Sequence, residues 1–338
     1  NNMYIRKALT CRASSIGDCV MGKYLLENIH QQFPNARLGI VVGSRAGMIR
    51  DLCAAYPWLL VIEANRRSPK SLISLWKDFH GSDLVVTQYA GKPGGRFSLW
   101  SKLFARLLAK KGGLIGFSDA SKMNGFLYDT LLPFSRSATP ASAEREALRA
   151  ADIPRALEWP ILQGGKTQDA TSKFDDISGN YIVVHLFAGN KSRGLHPNKK
   201  RELLEALTKR FPGTSLVISG GAGDAEEAVQ IAGGLPTTVI AGEATLQELM
   251  SIINRSRGVV SIDTGVAHIT AQLRKPLVVL TGCLGAHWWE IEQYGAGAPI
   301  TVCSRADLCA RGHVSKDYPD CLNEIAVSDV VNAVVPLV

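Results

Sequence analysis

A chain of 338 residues, 46% of them hydrophobic, is long enough for two globular domains, and none of its apolar runs approaches the ~20 residues that a membrane span requires. The net charge of +8 is uneven: residues 1–169 carry 23 Lys and Arg against 13 Asp and Glu, residues 170–338 carry 15 against 17. The first half is therefore expected to meet an anion, either nucleic acid or a phosphorylated lipid at an acidic surface, unless it is only a solvated basic face. Nothing resembling zinc-finger spacing or an RNP motif supports the nucleic-acid alternative.

In chain order, Tyr4–Leu9 reads as a strand, with Arg6 and Lys7 leading into it rather than into an apolar targeting segment. Ser14-Ser15-Ile16-Gly17-Asp18 reads as a loop, and Met21, Leu25 and Ile29 then recur at helical spacing. Further strands are expected at Leu38–Val42, Leu59–Ile62, Leu84–Thr87 and Leu114–Gly116. The helix expected over Phe97–Lys111 has Trp100, Phe104 and Leu107 or Leu108 on one side, and Lys102, Arg106 and Lys110 as an i, i+4 stripe on another. That pattern reads as a core-packed helix with a solvated charged face, a membrane-surface contact being the alternative. The polar, aperiodic run 163–172 reads as a joint.

The second half repeats the alternation. Strands are expected at Tyr181–Leu186, Ser215–Ser219, Thr238–Ala241, Gly258–Ile262 and Leu277–Leu280, with helices at Pro197–Phe211, Asp224–Ala232, Leu246–Asn254 and from Ile325 to Val335. Alternation of this kind gives α/β units with parallel sheets covered on both faces. The expected domains are 1–165 and 175–325, followed by a C-terminal helix in 326–338.

Ser261-Ile262-Asp263-Thr264-Gly265-Val266-Ala267-His268 is the most informative stretch. A strand, an Asp-Thr-Gly turn and a helix start place backbone N–H groups, a hydroxyl and an imidazole together, which suits a phosphate; an ordinary helix cap is the other reading. Together with Ser14-x-x-Gly17-Asp18, this element resembles glycosyltransferase family 9, the ADP-heptose:lipopolysaccharide heptosyltransferases, and the supporting pattern spans nearly the whole chain.

The resemblance implies a GT-B fold, two Rossmann-like domains facing each other across a cleft, with the C-terminal helix packing back over the interface. It implies an inverting transfer of heptose from ADP-heptose to the inner core of lipopolysaccharide. Asp18 has the family's general-base position; read from the residues alone, it serves equally well as the N-cap of a helix beginning near Cys19. The donor residues implied are Asp263, Thr264, Gly265 and His268, a cation at Lys191 or Arg193, Asp224 with its neighbour Glu226 for the ribose, and Ala244 in a segment under the adenine. Gly194-Leu195-His196-Pro197 departs from the family's Lys-x-Trp-Pro, which keeps another sugar or acceptor open.

For the acceptor, a phosphorylated lipid A–core oligosaccharide, Lys92, Arg96, Arg66 and Arg67 are the candidates. With the family in view, the basic first half is assigned to that lipid and to peripheral contact with the cytoplasmic face of the inner membrane, with no nucleic-acid partner. No Asp-x-Asp occurs and Asp175-Asp176 are adjacent, so a metal-independent reaction without a cofactor is expected. The spacing of Cys303, Cys309 and Cys321, with His313, matches no zinc pattern, and seven scattered cysteines are those of a reduced, cytoplasmic protein. No Gly-x-Gly-x-x-Gly follows the first strand, which disfavours an NAD-dependent oxidoreductase. A non-catalytic nucleotide-sugar-binding relative is the alternative outside enzymes.

Overall fold

A computed structural model describes residues 4–12, 15–64, 68–89, 97–133, 138–164, 173–174, 177, 179–283, 285–309 and 317–338. The chain divides into two compact units, Asn1–Pro160 and Ile161–Val338. The first contains β1 (Lys7–Cys11), β2 (Arg37–Val42), β3 (Leu59–Glu63), β4 (Leu84–Thr87), β5 (Leu114–Phe117) and β6 (Thr130–Leu132), all parallel, in the order β3-β2-β1-β4-β5-β6. The second contains β7 (Tyr181–His185), β8 (Ser215–Ile218), β9 (Thr237–Val239), β10 (Val259–Ile262), β11 (Leu277–Thr281) and β12 (Ile300–Ser304), also parallel, in the order β12-β11-β10-β7-β8-β9.

Each unit thus winds outward from its first strand in both directions. The strand order of each reverses beside that first strand, between β1 and β4 and between β7 and β10, and ligands of such sheets bind beyond the strand ends at this point. The central strands β7, β10 and β11 are buried along their whole length, so they read as continuous apolar runs rather than as alternation. Ile182, Val184, Leu203, Leu207, Ile218, Ile262 and Leu280 share one buried core in the second unit.

Two strands escape the sequence pattern, β6 and β12, both at sheet edges where burial is partial and the apolar signal weak. The first strand runs from Lys7 to Cys11 rather than from Tyr4. The last helix, Val327–Val334, packs on the helix Pro197–Arg210 and on β11 and β12 of its own unit.

The helix observed at Leu99–Leu108 corrects the expected orientation. Lys102 is fully buried; its Nζ donates to Asp119 Oδ2 at 2.6 Å and to Asn124 Oδ1 at 2.7 Å. Arg106 pairs with Asp129 at 2.6 Å and Lys110 with Asp83 at 2.5 Å, while Trp100 and Leu107 are exposed. Asp119 draws Lys102 inward, while Arg106 is half-buried and Lys110 stays exposed, so the stripe is split in a way that the helix's own period could not show.

Candidate active site

The first unit presents Asp18 beside the reversal point of its sheet. The helix Ile16–Gln32 follows β1, and its N-cap is Ser15, whose hydroxyl accepts the Asp18 N–H at 3.2 Å. Asp18 is therefore a first-turn residue and not the cap. Its Oδ2 accepts the Ser15 hydroxyl proton at 2.5 Å. Beneath it, Arg12 Nη2 donates to Glu144 Oε1 at 2.6 Å in a pair whose side chains are both fully buried. A glycine is needed at position 22 because a Cβ there would stand 2.8 Å from Arg12 Nε. Burial pushes Glu144 up to about 7, with Arg12 pulling against it. Sequence reading did not single out Arg12 or Glu144, which lie 132 residues apart.

In the second unit, the loops after β7 and β10 flank the corresponding point. The loop after β7 contains the turn Lys191–Arg193, with both cations exposed. Arg193 lines a cavity with Ser192, Asp263, Gly285, Cys283 and Cys321. After β10, Thr264 is the N-cap residue of the eight-residue helix Gly265–Gln272, but its side chain makes no capping bond. Thr264 Oγ1 is buried and has no hydrogen-bond partner among the described residues. An unmatched hydroxyl of this kind costs free energy. It sits where the first-turn N–H groups and the helix dipole favour an anion.

Asp263 is held by other groups. Its Oδ1 accepts the Trp289 indole N–H at 3.2 Å and lies 3.5 Å from His268 Nε2. Burial raises its carboxyl to about 6, opposed by Arg193 and the Trp289 bond. Position 285 must be glycine, since a Cβ there would fall 1.8 Å from Asp263 Oδ2. His268 stacks on Trp289 at 4.7 Å and shares a 2.6 Å hydrogen bond with the Tyr294 hydroxyl through Nδ1. Burial, reinforced by Arg193, lowers its pKa to about 3, so the ring is neutral. Its ring thus contacts Trp288, Trp289 and Tyr294 of the 288–294 segment. Neither Trp289 nor Tyr294 carried a motif signal.

The loops after β8 and β9 continue the row. Asp224 Oδ2 accepts the Gly221 N–H at 2.8 Å and closes the turn Ala222–Asp224, whereas Glu226 is exposed. Ala244 is half-buried just before Thr245, which forms a capping box with Glu248. At the end of β7, buried His185 meets Ser219 at 3.1 Å, and burial lowers its pKa to about 4. The row from β9 to β10 therefore brings Ala244, Asp224, Glu226, Lys191, Arg193, Asp263, Thr264, Gly265 and His268 to the ends of adjacent strands. Lys92, Arg96, Arg66 and Arg67, together with Asp175, Asp176 and His313, lie outside the described residues.

The cysteines group differently from their spacing. Cys283, Cys309 and Cys321 have all three sulfurs within 4.8 Å of one another, while Cys303 sits on β12 and is not of the group. Cys283 was invisible to spacing because it follows a different strand.

Residues 144–284 match the family model of glycosyltransferase family 9 (heptosyltransferase). The chain is 23% identical over 198 residues to lipopolysaccharide heptosyltransferase 3 of Escherichia coli, a match covering 57% of this chain and about half, 52%, of that protein. Its fold is similar to that of a family 9 glycosyltransferase from Veillonella parvula, with a TM-score of 0.74 at 15% identity over 100% of this chain and 98% of the other. It is also similar to the E. coli heptosyltransferase WaaC with ADP, with a TM-score of 0.70 at 16% identity over 98% and 100%.

Proposed function

We propose that the chain is a member of glycosyltransferase family 9, whose family model matches residues 144–284, and that it transfers heptose from ADP-heptose to the inner core of lipopolysaccharide with inversion. The observation that carries this reading is the unpartnered, buried Thr264 hydroxyl at a helix start, beside the loop that bears Arg193.

Three tasks define the reaction. The ADP leaving group needs compensation of its developing charge. Thr264 Oγ1, the N–H groups of the helix Gly265–Gln272 and a cation from Lys191–Arg193 supply it, without Mg²⁺ or Mn²⁺. The acceptor hydroxyl needs a base as it attacks. Asp18 takes that proton; because Ser15 caps the helix, the Asp18 carboxylate accepts one hydroxyl bond among the described residues, from Ser15. The nucleoside must be held in register. Glu226 is the better ribose ligand of the acidic pair, since Asp224 already accepts a backbone N–H, and Ala244 passes beside the adenine.

The acceptor is a phosphorylated lipid A–core oligosaccharide at the cytoplasmic face of the inner membrane. Lys92, Arg96, Arg66 and Arg67 supply charge toward it. Contact with that surface is proposed as peripheral; among the described residues no helix is long and apolar enough to cross a membrane.

Another nucleotide sugar is the second reading, favoured by the departure at 194–197. Leu195 is buried there, and His196 accepts the Asn198 N–H at 3.3 Å as a helix cap, so neither replaces the family's Lys. One experiment tests both: purified protein, a core oligosaccharide acceptor and a panel of nucleotide sugars, with product identified by mass. Transfer from ADP-heptose alone supports the first reading, transfer from a different donor the second, and no binding or turnover of any donor ends both.

A further inference from the structure

Three cysteines from separate parts of the second unit converge, and two of them, Cys283 and Cys321, line the Arg193–Asp263 cavity. Cys283 follows β11, Cys309 ends the short turn Ala306–Cys309 after β12, and Cys321 lies in the helical turn Asp320–Asn323. Their sulfurs all lie within 4.8 Å of one another, with Cys283 and Cys321 4.0 Å apart. That is far beyond the ~2.05 Å of a disulfide, and none of the three is disulfide-bonded. A tetrahedral cation with ~2.3 Å bonds to thiolate places its sulfurs ~3.8 Å apart. The triad needs only a slight contraction to reach this geometry.

We propose that Cys283, Cys309 and Cys321 bind a soft divalent cation with thiolate preference, of the Zn²⁺ type, and that this site clips the donor loop in place. Three thiolates leave one position of the tetrahedron for water or a further donor. Cysteine binds such a cation as thiolate, so binding would release protons.

The clip follows from what lies just beyond Cys309. The Tyr318 N–H donates to the Lys191 carbonyl at 2.9 Å. Asn323 Nδ2 donates to the Gly194 carbonyl at 3.2 Å, and Asn323 Oδ1 accepts the His196 N–H at 2.7 Å. The Tyr318 and His196 rings meet edge to face at 5.1 Å. Residues 318–323 therefore grip both ends of the Lys191–Arg193 turn. Leu322 anchors this segment in the core of the unit, and Cys321 beside it lies 4.0 Å from Cys283 at the end of β11, so the thiols add a second attachment to the sheet. Fixing the three sulfurs fixes the cations that face the leaving group. The metal site stands on the thiols alone; its role as a clip rests on the donor reading above.

The test uses the full chain, purified without added chelator. Metal analysis after gel filtration should find about one thiolate-type metal per chain. Metal-free protein titrated with Co²⁺ should develop sulfur-to-cobalt charge-transfer absorbance that saturates near one equivalent. Cys309→Ser and Cys321→Ser should lose both signals, and Cys303→Ser should keep them. ADP should bind about tenfold more weakly to Cys309→Ser than to Cys303→Ser, the worth of one hydrogen bond to a charged group. Absence of metal together with absence of the cobalt band overturns the site, as does a Cys283–Cys321 disulfide in fresh protein. A cobalt band with unchanged ADP affinity in Cys309→Ser overturns the clip and leaves the site. Should the serine variants fail to fold, metal content and the cobalt titration of the unaltered chain decide. Wild-type protein that binds cobalt but no ADP would point to a failure of the donor reading and not of the metal site.

Discussion

Replacing Thr264 with valine separates the cost of an orphaned hydroxyl from its use. The two side chains have nearly the same shape, and Thr264 Oγ1 is buried without a partner among the described residues. In the ligand-free protein the hydroxyl is a liability of about 1–3 kcal/mol, the cost of an unsatisfied buried polar group. Thr264→Val removes that cost. It should stabilise the free protein by about 1 kcal/mol, or raise the melting temperature by roughly 2–4 °C for a unit of this size. If a diphosphate oxygen is the missing partner, the same change deletes a hydrogen bond to a charged group. ADP affinity should then fall by about 1.5–3 kcal/mol, roughly tenfold to a hundredfold. Stability and affinity move in opposite directions, which few substitutions in a binding site produce. Thermal unfolding with and without ADP, and calorimetric titration of ADP, measure both. A variant that is less stable than wild type when free, or that binds ADP as wild type does, would refute the reasoning.

Asp18→Asn should reduce transfer by roughly 10²–10⁴-fold while folding and ADP binding stay near wild type, because Ser15 and not Asp18 caps the helix; near-normal turnover in an acceptor assay removes the base. Transfer should proceed without added Mg²⁺ or Mn²⁺ and should survive brief EDTA treatment that strips oxygen-ligated ions; activity restored only by Mg²⁺ would contradict the leaving-group assignment. Burial depresses His268 to about 3 from an ordinary 6.5, so its neutral form stabilises the fold above about pH 6.5 and that contribution is lost as pH falls toward 3. His268→Phe should therefore lose less urea resistance than wild type between about pH 7 and pH 4, and equal losses would refute this. Lys102→Ala leaves Asp119, whose side chain is 1% exposed, without its cation; a cost of about 3–5 kcal/mol in urea unfolding is expected, and a cost below about 1 kcal/mol would show that the pair carries little.

The sequence alone settles what local chemistry settles. Apolar runs of four to six residues separated by helical periods are strands of a parallel sheet because both faces are covered, and the extents Leu84–Thr87 and Tyr181–His185 emerge almost unchanged. The Asp263-Thr264-Gly265 turn and the Thr245–Glu248 box are legible because a cap and its helix are neighbours in the chain. Edge strands β6 and β12 are not legible, because half-buried strands carry a weak apolar signal.

Contacts between distant segments are decided by tertiary structure. Strand order carries the loop after β7 to the loop after β10 although the ends of those strands, His185 and Ile262, lie 77 positions apart. It also exchanges Cys303 for Cys283 in the thiol group, and sets Trp289 and Tyr294 against His268. Lys102 is the sharpest case: its helical period calls for solvent, yet Asp119 and Asn124 on other segments supply a charge and a carbonyl that make burial tolerable. A side chain's own sequence neighbours fix its element and its face. The partners that determine its charge, its burial and its use are brought to it only by the packing of the sheet.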